Sequence, residues 1–201
     1  MTTLFVILAI FLGLAIVFTI AFPIIYRCVC EKKYHEIFGK KLYRLAMHKD
    51  YYLINTFITK TRNRSKVHVD HLLFGNKYIY VFSDFYVTGD LYGKVDDHSF
   101  LLRSKKRKSE YIDNPLLKAK ERAHKLALIL NFDDSMFIPI VLVNDACNLV
   151  NCYGNKSLIY CKDLRHIIKQ HEDDDVKPLN QEQLMYAVHD ISNLNERDKK
   201  E

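Results

Sequence analysis

The sequence predicts an α/β domain, a mixed central sheet flanked by helices, carried behind one N-terminal apolar helix. Three observations predict it. Residues 4–26 contain no charged side chain, whereas the chain beyond them has ordinary globular composition. Runs of aromatic and β-branched residues alternate with amphipathic helical stretches from residue 31 to residue 194. One run, FIPIVLV at 137–143, is apolar throughout, the pattern of a strand with both faces covered. Residues 27–201 suffice for one domain with a real core and are tight for two.

The apolar segment reads LFVILAIFLGLAIVFTIAFPIIY, opened by Leu4 and closed by Tyr26. Roughly 20 such residues, at ~1.5 Å each, cross a ~30 Å hydrocarbon layer. The Thr19 hydroxyl can bond back to its own helix, and Pro23 lies near the end, where a kink costs little. Tyr26 suits the membrane interface, and Arg27, Lys32 and Lys33 follow it with no Lys or Arg before the span. The positive-inside rule then places the N-terminus outside and the domain in the cytoplasm, anchored to the bilayer as a single-pass protein. A cleaved signal peptide is the competing reading; it requires a basic leader and a shorter apolar core. The expected organisation is an anchor and juxtamembrane segment over 1–30, the α/β domain over 31–172, and a C-terminal helix with a polar tail over 173–201.

The net charge is +6, and all of the excess lies beyond the anchor. A modest basic surplus fits anionic lipid or nucleic acid and does not choose between them. Five cysteines, Cys28, Cys30, Cys147, Cys152 and Cys161, are odd in number and scattered, which argues against a disulfide framework. Reduced thiols fit a cytoplasmic domain. Cys28 and Cys30 are candidate acylation positions beside the membrane. A zinc set of Cys147, Cys152, Cys161 and His166 lacks the close pair spacing of structural sites. No Gly-rich phosphate loop occurs, so no nucleotide cofactor is expected.

The elements follow in order. Tyr34, Ile37, Phe38, Leu42, Leu45 and Ala46 recur at helical steps, predicting a helix over 31–47. YYLINTFIT at 51–59 predicts a strand, residues 61–65 a polar turn, and VHVDHLLF at 67–74 a second strand. Gly75, Asn76 and Lys77 turn the chain into YIYVFSDF at 78–85, completing a hairpin that 86–95 extends through Gly89 and Gly93. Asp113 or Asn114 caps a helix over 116–130, with Pro115 in its first turn. After the apolar strand come a short strand at 157–160, a helix from an Asp163 cap to residue 170 broken by Asp173, Asp174 and Asp175, and a last amphipathic helix over 179–194.

One position stands out chemically. Asp70 is the only acid in a strongly apolar strand, and a second apolar strand follows after a tight turn. An Asp there, with Glu and Lys two residues apart on the next strand, is how restriction-endonuclease-type nucleases hold Mg²⁺ and position a water for attack on phosphorus. The two-residue spacing sends both side chains from one face of the strand. The chain resembles the nuclease-related domain (NERD) family, a branch of the PD-(D/E)xK nucleases, over about residues 36–170. The resemblance rests on four features in order: VDHLLFGNKYIYVF; Thr88-Gly89 with Gly93; Asn114-Pro115-Leu116 opening a helix; and FIPIVLV.

The departures fall on the chemistry that the resemblance implies. Asp70 and His71 match the Asp-His pair, but Ser83 stands for the Glu and Phe85 for the Lys. Asp84 points to the opposite face by alternation. In the early helix the family's Glu after Gly is Lys40, following Gly39, and Glu36 is the nearest acid; the family's Gln after Asn-Pro-Leu is Lys118. The expected metal positions are thus Asp70 and Glu36, neither with a full set of partners, and the catalytic positions Asp70, Ser83 and Phe85 read as degenerate.

Arg103, Lys105, Lys106, Arg107 and Lys108 form a basic run interrupted only by Ser104. A solvated loop is its ordinary reading; contact with nucleic-acid phosphate or anionic lipid is the functional one. His68, His71, His124, His166 and His171 read as surface or hydrogen-bonded histidines before ligands. Three functions remain open. The first is a catalytically inactive, membrane-anchored module binding DNA, RNA or another protein, with no cofactor. The second is a divergent Mg²⁺-dependent nuclease with relocated ligands, Asp70 with Glu36 and Asp84 or Asp90. The third is a purely structural membrane protein.

Overall fold

The first element of the computed structural model, α1 (Thr2–Lys49), departs from helical geometry at Lys33 (φ −117°, ψ 17°) and carries Pro23 within it. The structure describes residues 2–60, 66–104, 108–152 and 156–199. The chain divides into two compact units, Met1–Ile37 and Phe38–Glu201. In the first, the Thr19 hydroxyl donates to the Ala15 carbonyl at 2.7 Å, which satisfies the one polar side chain among apolar neighbours. Among the described residues no single helix is long and apolar enough to cross a membrane; the stretches Ile10–Tyr26 and Cys28–Lys49 reach that length and hydropathy only together.

The second unit holds two mixed sheets. In the larger, β1 (Tyr52–Lys60), β2 (Lys66–Phe74) and β3 (Ile79–Phe85) run antiparallel in turn, and β7 (Phe137–Val143) and β9 (Leu158–Tyr160) continue parallel to β3. In the smaller, β6 (Glu110–Asp113), β5 (Ser99–Arg103) and β4 (Gly89–Tyr92) are antiparallel, and β8 (Cys147–Val150) runs parallel to β4. Helix α2 (Pro115–Leu130) packs on β2, β3 and β7, and α4 (Gln181–Lys199) packs on β1 and α2. The opposite face of the larger sheet meets the end of α1, where Gly39 approaches His71, and α3 (Leu164–Glu172), where His171 meets the rings of Tyr78 and Tyr80.

The predicted strands at 51–59, 67–74, 78–85 and 137–143 lie within a residue of the observed ones. The differences have local causes. One central sheet was expected, yet β3 and β7 both stop and resume as β4 and β8 in a second sheet. Asn144 spans that break, its side-chain oxygen accepting from the Val87 amide at 2.9 Å. Gly89 (φ +127°) restarts the strand, where a Cβ would lie 2.3 Å from the Arg103 carbonyl oxygen. Of the basic run, Arg103 closes β5 and Lys108 precedes β6, while residues 105–107, like the turn expected at 61–65, lie outside the described residues. Asp163 precedes α3 as expected but makes no side-chain cap hydrogen bond.

Pro139 sits inside β7, which a central strand tolerates only where no ladder bond is needed. The Val141 amide, of the same parity, donates to the Ser157 carbonyl on the β9 side. The β7–β9 pairing begins at Val141, so among the described residues Pro139 faces no partner strand on that side. A second irregularity sets up the polar centre. Thr56 in β1 has φ +57°, and the β1–β2 register pairs Asn55 with His71 and Phe57 with Val69. Val67 and Val69 before this point, and Leu72 and Phe74 after it, join one apolar cluster with Ala123, Leu126 and Ala127 of α2. The alternation therefore slips by one at Asp70 and His71, and both residues are buried. Asn195 of α4 supports the irregular backbone, accepting from the Ile58 amide at 3.3 Å and donating to the Thr56 carbonyl at 3.4 Å.

Candidate functional site

Asp70 is 8% exposed at the end of the β2–β3 ladder. One carboxylate oxygen, Oδ2, accepts from the Asp84 backbone amide at 3.0 Å. The same oxygen lies 3.7 Å from Nη1 of Arg122, while Oδ1 lies 3.6 Å from Nδ1 of His68. Arg122 reaches in from the third turn of α2, and its Nη1 also donates to the Ser83 hydroxyl at 3.0 Å. One guanidinium nitrogen thus touches both positions that the resemblance assigns to acids.

Alternation on β3 separates the remaining residues as the sequence predicts. Ser83 faces α2 and Arg122. Phe85, on the same face, packs against the apolar cluster of Leu91, Phe100, Leu116, Ala119, Val141 and Val143. Asp84 points the other way, where its Oδ2 meets Nε2 of His71 at 3.0 Å and Nδ1 of His71 meets Oδ1 of Asn55 at 2.7 Å. This chain bridges β1, β2 and β3 under Gly39, where a Cβ would lie 3.2 Å from the His71 ring. His71 therefore belongs to a brace on the α1 side of the sheet, not to the Asp70 centre.

The other expected residues lie elsewhere. Glu36 belongs to the first unit and pairs with Lys33 at 3.8 Å. Asp90 lies on β4 of the smaller sheet and accepts from Asn148 at 3.2 Å. Lys118 pairs with Asp113 at 2.6 Å, and that contact lowers the Asp113 carboxyl below its ordinary range. His124 meets Asp134 at 2.6 Å on the surface, and His166 meets Gln170 at 3.0 Å along α3. Arg103 lies over the Tyr92 ring at 4.9 Å, and Lys108 is exposed across the hairpin; Lys105, Lys106 and Arg107 fall outside the described residues. All five cysteines are free thiols. Cys147, Cys152 and Cys161 are buried, and burial pushes the Cys147 thiol up to about 12 and the Cys161 thiol up to about 11.

The donor set does not fit the divalent ion that the resemblance implies. Mg²⁺ takes oxygen ligands, mainly carboxylates and water, in a demanding octahedron. Here the one carboxylate already serves a backbone amide and a guanidinium, and the serine oxygen serves the same guanidinium. Among the described residues no three His, Cys, Asp or Glu side chains converge closely enough to hold a metal ion. A cleft of about 760 Å³ opens elsewhere, between the end of α1, α3 and the start of α4; Tyr51, Lys77, Arg165 and Glu172 line it, and Asp70 does not.

Arg122 was not legible as a site residue. On a helical wheel it flanks the buried stripe of Ala119, Ala123 and Leu126, where an Arg ordinarily reaches water. The available signal was Asp70 itself, because a buried carboxylate demands a nearby cation or several donors.

Fold and centre define the class: a mixed α/β sheet domain with its polar centre on the second and third strands, under a helix opened by Asn-Pro-Leu. The model of the nuclease-related domain (NERD) matches residues 33–144, more than half of the chain, and the chain belongs to that family. No curated protein and no solved structure matches it. The match ends at Asn144, so β8, β9, α3 and α4 lie beyond it.

Proposed function

We propose that this chain is a non-catalytic nuclease-fold module that binds nucleic acid and is held at a membrane by its N-terminal helix, domain on the cytoplasmic side. The observation that carries the reading is what stands where the metal chemistry would be: a guanidinium between Asp70 and Ser83, and Phe85 turned into an apolar cluster. Phosphodiester hydrolysis by a metal route needs an ion that polarises the phosphoryl oxygens and generates or orients the attacking water. Neither Ser83 nor Phe85 can do this, and Asp70 alone is a weak ligand.

The basic surplus of +6 supports a polyanionic ligand, as do Arg103 and Lys108 at the two sides of one hairpin. Along the N-terminal helix Ile10, Phe11, Leu14, Phe18, Phe22 and Ile25 are each more than half exposed. An apolar surface of that extent supports burial in hydrocarbon. Arg27, Lys32 and Lys33 on one side of it support the cytoplasmic placement.

The test uses the full chain in lipid nanodiscs with end-labelled single- and double-stranded DNA. The expected result is retention at low salt, release as salt rises, and intact DNA with millimolar Mg²⁺ or Mn²⁺. Metal-dependent cleavage that disappears in Asp70→Ala would overturn the non-catalytic half. Absent or salt-indifferent retention would overturn the nucleic-acid half.

A further inference from the structure

We infer that Arg122 is the resident cation of this centre, its guanidinium standing in the place of a divalent ion. The inference rests on the non-catalytic reading above and goes beyond it by naming what replaced the metal. Within the family pattern, the ion lies between the acid at position 70 and the acid at position 83. In this chain Nη1 of Arg122 lies between the same two positions, 3.7 Å from Asp70 Oδ2 and 3.0 Å from Ser83 Oγ.

The chemistry makes the replacement permanent. A guanidinium stays charged at every working pH and cannot dissociate from the chain. It balances Asp70 without the full oxygen octahedron that Mg²⁺ demands. It also needs only one acid, because a second carboxylate is not required to neutralise a single charge. Ser83 then serves as acceptor for an N–H, a role that needs no charge. The change from Glu at position 83 and the arrival of Arg122 are in this account one event: removal of a negative charge and of the ion it held, with the remaining carboxylate paired within the protein.

An ordinary structural ion pair between Arg122 and Asp70 predicts only that breaking it destabilises the fold. Replacement of a metal predicts more. With an acid restored at position 83, Arg122 should exclude a metal, and its removal should admit one. The experiment follows thermal unfolding of the full chain in detergent, with EDTA or with Mn²⁺, for Ser83→Glu, for Ser83→Glu/Arg122→Ala and for Ser83→Glu/Arg122→Gln. The Gln variant keeps much of the side-chain bulk where Ala disrupts packing, and Ser83→Asp supplies a smaller acid where Glu does.

Ser83→Glu alone should ignore Mn²⁺, because the new carboxylate pairs with Arg122. The double variants should melt lower in EDTA and rise by about 4 °C or more in saturating Mn²⁺. A further Asp70→Asn should abolish that rise. An equal rise in Ser83→Glu alone would place the metal elsewhere and overturn the inference, as would double variants of both kinds that fail to respond. Metal-dependent cleavage by the wild-type chain would overturn the underlying reading instead. An inert wild type with metal-blind double variants overturns this inference alone.

Discussion

A single buried amide ties the 95–97 segment to the start of α2. Asn114 accepts from the Leu116 amide at 2.9 Å, capping α2, and donates to the Val95 and Asp97 carbonyls at 2.9 and 2.7 Å. Replacing it with Ala leaves those groups without their partner and removes the cap. The expected loss is about 3 kcal/mol, measured by urea denaturation of the full chain in detergent; a loss below about 1 kcal/mol would contradict this role. The cap was legible in the sequence, because Asn-Pro-Leu has the residues a helix start requires. The choice between Asp113 and Asn114 was not, since it depends on which side chain the 95–97 segment passes; Asp113 turns to Lys118 instead. Arg122 was hidden for the same kind of reason. Its neighbours along the chain describe a solvated helix edge, and only the placement of α2 across β2 and β3 sets it on Asp70.

Among the elements, strands with continuous apolar runs were the most legible. β7 was read to the residue because nothing but burial on both faces explains seven successive apolar positions. The break that turns β3 into β4 and β7 into β8 left no such trace; it depends on a side chain, Asn144, bonding across to Val87. The slip at Thr56 was visible only as a change from alternation to continuous apolarity in β2. Helix α3 makes a prediction that belongs to this scale. Burial against Tyr78 and Tyr80 lowers the pKa of His171, and Nε2 of its ring has no hydrogen-bond partner among the described residues. The unfolded chain then binds the proton more readily than the folded one, so the contribution of His171 to stability is lost as pH falls through the ordinary histidine range, about 6.5, toward its lowered value. Glu172 has the opposite sign. Burial raises its carboxyl, held by the Tyr80 hydroxyl at 2.7 Å, so its contribution is present at acid pH and lost as pH rises through that raised value. His171→Phe separates the two. Between about pH 7.5 and pH 5.5 the melting temperature of the variant should fall less than that of the wild type; equal slopes would contradict the burial argument.

At the scale of the whole molecule, composition carried the division into an apolar N-terminal stretch and a folded remainder, because uncharged sequence of that length has few other uses. The boundary between compact units falls at Ile37, within α1, between the non-helical Lys33 and Gly39. The family was legible from the order of VDHLLFG, Thr88-Gly89, Asn-Pro-Leu and FIPIVLV, and it holds over 33–144. The fate of its chemistry needed geometry: whether other acids close on Asp70 cannot be read from spacing, and in the fold the group that closes on it is a cation. The most direct measurement is a calorimetric titration of Mn²⁺ and Mg²⁺ into the wild-type chain in detergent, beside Asp70→Ala. The account predicts no saturable millimolar binding in either protein. A saturable isotherm in the wild type that vanishes in Asp70→Ala would contradict it.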